Sequence, residues 1–147
     1  MSRAARSLSS RPIGMIVAAT ANVIVALVLI AVVVRLIALS VDEDYAAVVY
    51  AHVPRLRTLI LASCLHVAGV SFLVAATVGY VRCNPRLGQG AANAYIIVEL
   101  GAVVFTLTAL RMDFDVLSAI RIVYVVVTGV LVNVVFAPDF DLQRRRA

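Results

Sequence analysis

Glu99 is the residue where chemistry would be sought first in this chain. It is the single charge in the run from Ala91 to Leu110. A carboxylate in apolar surroundings costs several kcal/mol unless it is protonated, paired or in contact with water. Such an acid can relay protons or couple them to a carrier. The same position equally suits a structural hydrogen bond between helices. Two other residues have the right type to share its surroundings: His66, inside the uncharged run from Thr58 to Val81, and Arg121, near the start of the run from Val116 to Ala137.

The elements that carry these residues follow from composition. The chain has 147 residues, of which 63% are hydrophobic and 14% charged, against roughly 45–50% and 25% in soluble domains. The mean hydropathy is +1.04. One core of this size cannot hide so much apolar surface, so much of it must face lipid. Four apolar stretches stand out, at about 13–39, 58–81, 91–110 and 116–137, each near the ~20 residues needed to cross a bilayer as a helix. Valine and isoleucine are abundant, but a spanning sheet would alternate polar and apolar residues along each strand, and Val23 to Val34 shows no alternation. Pro12, Pro54, the Asn84–Gly90 turn and Pro138 separate the stretches. The fold class expected is all-α, an integral membrane four-helix up-and-down bundle forming a single polytopic domain over residues 1–147.

Orientation and depth follow from counting. All 13 basic residues are arginine, and the net charge is +5. Eight of them (Arg3, Arg6, Arg11, Arg82, Arg86 and Arg144 to Arg146) fall on one side of a four-span chain, and five on the other, which also carries Asp42, Glu43 and Asp44. The positive-inside rule then places both termini in the cytoplasm of a multi-pass protein of the cell membrane. The first span reads as a retained signal anchor, because its apolar run exceeds the ~7–15 residues of a signal core. Counted from Ala91, Glu99 lies roughly 12 Å above the cytoplasmic edge, His66 roughly 18 Å and Arg121 roughly 24 Å. This predicts a Glu99–His66 contact, with Arg121 reaching outward to the headgroups.

Other residues carry weaker signals. Ser71, Ala75 and Gly79 form a small-residue stripe at four-residue spacing that would let a second helix approach closely; Gly101 and Gly129 are candidates for the same use. Asn22, Asn133, Thr106 and Thr128 add hydrogen-bonding capacity. Cys64 and Cys83 are ~28 Å apart along one helix, too far for a disulfide, and Cys64 is expected to be buried. Between the first two spans, Tyr45, Val48, Val49, His52 and Val53 would share one face of an interfacial helix. His52 would then sit at the outer surface, where an imidazole can bind a metal or haem iron, although a lone interfacial histidine is more often neither. No Ser-His-Asp spacing, phosphate-binding glycine loop, HExxH or CxxC occurs. The Arg144–Arg146 tail is most simply a topology anchor, and scattered arginines in short loops give no footprint for nucleic acid.

The segment Asp44-Tyr45 followed by Tyr50-Ala51-His52-Val53-Pro54, with Asn84-Pro85-Arg86 and the run from Glu99 to Leu110, resembles the haem-handling membrane proteins of cytochrome c maturation over about residues 40–110. In that family the histidine of the YxHVP segment is a haem axial ligand, a role the resemblance implies for His52. The family's tryptophan-rich haem platform has no counterpart, since the chain has no tryptophan.

Three functions are open from the sequence. The first is a non-enzymatic accessory or interaction subunit, with the bilayer and other membrane subunits or further copies of itself as partners and no cofactor. The second is haem or quinone handling through His52, with His66 and Glu99 inside the bundle. The third is a small oligomeric proton-coupled transporter using Glu99.

Overall fold

The computed structural model describes residues 13–42, 44, 56–82, 84–110 and 116–137. Four helices account for them: α1, Ile13–Val41; α2, Leu56–Val81; α3, Pro85–Ala109; and α4, Val116–Val130, which runs on into a π-helical turn, Leu131–Val135. Each is long and apolar enough to cross a membrane, counting α4 with its π turn. The described residues thus form an all-α four-helix bundle of the membrane type, as composition predicts. Helix is the form a spanning segment must take, because every backbone N–H and C=O is then satisfied within the segment. The hydroxyls follow the same rule. Thr20, Ser63, Ser71, Thr77, Thr106 and Thr108 each donate to the carbonyl four residues back on their own helix.

The third helix starts earlier than expected. Asn84 and Pro85 do not open a turn running to Gly90; they open the helix itself. Asn84 has extended backbone geometry (φ −98°, ψ 105°) and its side-chain oxygen accepts from the Leu87 N–H at 3.2 Å. Proline in the first turn loses nothing by lacking an N–H there. An Asn-Pro pair read as a breaker is therefore an N-cap followed by a helix start.

Interior faces repeat every three or four residues. On α1 they are Met15, Ala19, Asn22, Ala26 and Leu29, then Leu36 and Leu39; on α2 they are Leu59, Ala62, His66, Gly69, Leu73, Ala76 and Tyr80. This spacing is the seam of a left-handed bundle. The other faces are left apolar and bare, with Ile97 72% and Val134 66% exposed, which is tolerable only against lipid tails. Three apolar layers fill the inside: Met15, Ala76, Tyr80, Ala92 and Phe136 beside the α2–α3 turn; Leu29, Leu73, Tyr95 and Val125 in the middle; Leu36, Leu59 and Leu110 at the far end.

The packing is uneven. α1 lies along α2 and α2 along α3, but no Cα of α4 comes within 8 Å of α1 or α2. At the α2–α3 turn, Gly79 and Gly88 bring two backbones together: a Cβ on Gly79 would stand 2.2 Å from the Gly88 nitrogen. α4 rests on α3 and reaches the other helices through long side chains, and those side chains make the site.

Candidate functional site

Glu99, His66 and Arg121 come from α3, α2 and α4 and meet in the interior. Their depths agree once the helix bounds are known. Measured from the helix ends on the α2–α3 turn side (Val81, Pro85 and Val135), each stands 14 or 15 residues in, which is roughly 21–23 Å at 1.5 Å per residue. All three are buried: Glu99 is 0%, His66 2% and Arg121 6% exposed.

Arg121 occupies the centre. Its Nε donates to Glu99 Oε1 at 2.5 Å, forming an ion pair. Its Nη2 lies 3.1 Å from His66 Nε2. The other ring nitrogen, Nδ1, lies 2.7 Å from the Ala62 carbonyl. A carbonyl only accepts and a guanidinium only donates, so the ring hydrogen is on Nδ1 and Nε2 is the acceptor. The chain of bonds runs Glu99, Arg121, His66, Ala62 and joins three helices. The second carboxylate oxygen, Glu99 Oε2, has no hydrogen-bond partner. Gly69 leaves space beside it, since a Cβ there would stand 3.6 Å from Oε2.

This arrangement corrects the expected one. Arg121 does not extend to the outer headgroups, and Glu99 bonds the guanidinium rather than the imidazole. The cause is the start of α3. Six more residues below Ala91 raise Glu99 from roughly 12 Å to roughly 21 Å, level with Arg121. Two charges at one depth in a low-dielectric interior attract strongly, and each would be costly alone. His66 uses both ring nitrogens within the chain, so neither faces a ligand.

Two further polar groups lie nearer the α2–α3 turn. Asn22 of α1, 2% exposed, accepts from the Tyr124 hydroxyl of α4 at 2.6 Å, and the Tyr124 ring meets Tyr95 edge-on at 6.2 Å. Asn133, in the π turn, is exposed, yet both of its polar atoms are hydrogen-bonded. Its oxygen accepts from Asn93 at 3.2 Å and Gln89 at 3.4 Å, and its nitrogen donates to Asn93 at 2.8 Å and to the Gly129 carbonyl at 3.1 Å. Thr106 and Thr128 are buried, Thr106 on its own helix.

The small-residue stripe is divided. Gly79 makes the close approach to α3, and Ala75 packs partly against the layer at the turn, but Ser71 is exposed and bonded to its own Val67 carbonyl. The buried row passes through Gly69, Leu73 and Ala76 instead; Ser71, two residues from Gly69, lies ~200° round the helix. Gly129 touches Ile96, whereas Gly101 faces open space. Cys64 is exposed, not buried. His52, Cys83, the interfacial segment and both terminal segments lie outside the described residues. Among the described residues, no three His, Cys, Asp or Glu side chains converge as metal ligands would.

Sequence reasoning missed Tyr124, Tyr95, Gly69, Gly88 and Asn93. Spacing offered a signal for two of them: Tyr95 is one turn from Glu99 on the same face, and Gly69 follows His66 by three residues. Searched against family models, curated proteins and solved structures, the chain matches none.

Proposed function

We propose that this chain is a non-enzymatic component of the cell membrane, either an accessory subunit of a larger complex or a self-associating bundle, with both ends in the cytoplasm. One observation carries this reading. The acid, base and imidazole buried among the described residues are turned on one another, with Arg121 held by Glu99 and His66, and His66 held in turn by Ala62. Such a cluster fixes helices in register and offers little to a substrate. The apolar outer faces are then what the protein presents, to lipid and to neighbouring spans. Crosslinking in native membranes followed by purification in mild detergent tests it. The expected outcome is a defined neighbour or a defined oligomer; a strictly monomeric species overturns the reading.

A second reading rests on a separate observation, the unpartnered Oε2 of Glu99. A small proton-coupled carrier would use that oxygen as its proton site. Its expected signature is a proteoliposome flux that Glu99→Gln abolishes.

A further inference from the structure

Between α1 and α4 lies a cavity of about 30 Å³, lined by Asn22, Tyr80, Tyr124 and Thr128 among apolar side chains that include Ala18 and Ala21. Asn22 is 2% exposed and one of its two polar atoms is accounted for: Oδ1 accepts from Tyr124, while Nδ2 has no partner. An amide nitrogen without an acceptor, inside a protein itself surrounded by lipid, is among the costlier things a fold can leave. No Cα of α4 approaches α1 within 8 Å, so backbone carbonyls of the facing helix are out of reach as a remedy.

We propose that this cavity is a binding site for a single resident water molecule, which accepts from Asn22 Nδ2 and donates to the Tyr124 hydroxyl oxygen and to Thr128. Size sets the number. One water's share of the liquid is ~30 Å³ and a buried water needs two to four polar partners, so a cavity of about 30 Å³ takes one and not a file of them. Chemistry sets the kind. The lining holds an amide and hydroxyls and no charged side chain, so an ion would enter without a counter-charge, whereas water both accepts and donates as these groups require. The Tyr124 oxygen gives its hydrogen to Asn22, meets the Thr128 hydroxyl with one lone pair, and keeps the other for a donor. Water is then the third member of the α1–α4 contact, filling a gap that the side chains alone do not close.

The test is magnetisation transfer from water to the Asn22 side-chain amide, by water-edited solid-state NMR on the full-length labelled protein in lipid bilayers. The Leu29 backbone amide, on the same helix and at a residue 0% exposed, is the dry reference. The expected result is transfer to Asn22 several-fold faster than to Leu29; equal rates overturn the proposal. A filled variant, Ala21→Val, should remove the excess transfer while the Asn22–Tyr124 bond persists. If it folds and the transfer stays at the wild-type rate, the water is not in this cavity and the assignment fails.

Discussion

At the scale of single residues, the Glu99–Arg121 pair poses a question of sign. Each charge alone in the interior is costly, and the two together recover much of that cost through their direct ion pair. Removing one partner is therefore expected to cost far more than removing both. Arg121→Leu or Glu99→Leu should each destabilise the bundle by about 3–5 kcal/mol, and the double variant should regain most of it. SDS titration of the purified protein in mixed micelles, run as a double-mutant cycle, measures both. Near-additive losses would show that the pair is not a unit. His66→Phe removes an acceptor from Arg121 without exposing an opposite charge. Its cost should be about 1 kcal/mol in the same titration, in line with hydrogen bonds between membrane helices.

At the scale of elements, the glycines sort by what faces them. A Cβ on Gly79 would stand 2.2 Å from the Gly88 nitrogen and 2.3 Å from its Cα. Both are backbone, so no side-chain rotation relieves the clash, and α2 and α3 would have to part. Gly101 has nothing within 4 Å, and alanine there adds helix propensity. Gly79→Ala is expected to lower stability by about 1–3 kcal/mol; Gly101→Ala should leave it unchanged or raise it by up to about 1 kcal/mol. Thermal unfolding of the two variants in detergent, followed by circular dichroism, distinguishes them. The π turn belongs at this scale as well. π turns inside helices are uncommon, and here the turn carries Asn133 onto Asn93 and Gln89 of α3.

For the whole molecule, the uneven packing predicts uneven stability. α1 lies along α2 and α2 along α3, whereas α4 and the residues after it rest on α3 and meet the other helices through side chains alone, among them Arg121 on His66, Tyr124 on Asn22, Val125 beside Leu29 and Leu73, and Phe136 on Gly14 and Tyr80. Few close backbone contacts mean a lower local opening energy. Amide hydrogen exchange in detergent micelles should therefore be faster along α4 than along α2, and Arg121→Leu should widen the difference. Equal protection in the two helices would contradict this picture. A helix with few close backbone contacts to its neighbours is also the one most readily exchanged between copies or handed to a partner, which agrees with the proposed role as a subunit.

Composition and hydropathy were enough to specify four membrane-spanning helices and the presence of an acid among them, because lipid permits helices alone where strands do not close into a barrel. They also marked Glu99, His66 and Arg121 as buried polar candidates, but with Glu99 on His66 and Arg121 turned outward to the headgroups. Partnership was beyond them. It depended on where α3 begins, and an Asn-Pro pair reads as a helix breaker or as a cap and first turn until the backbone at Asn84 is seen. Six residues of helix moved Glu99 by nearly 10 Å and exchanged a histidine partner for an arginine. Which face of α2 is inside was hidden for a related reason: in lipid both faces are apolar, so a small-residue stripe such as Ser71-Ala75-Gly79 has no polar side to set it against, and the neighbouring helices alone select the buried row.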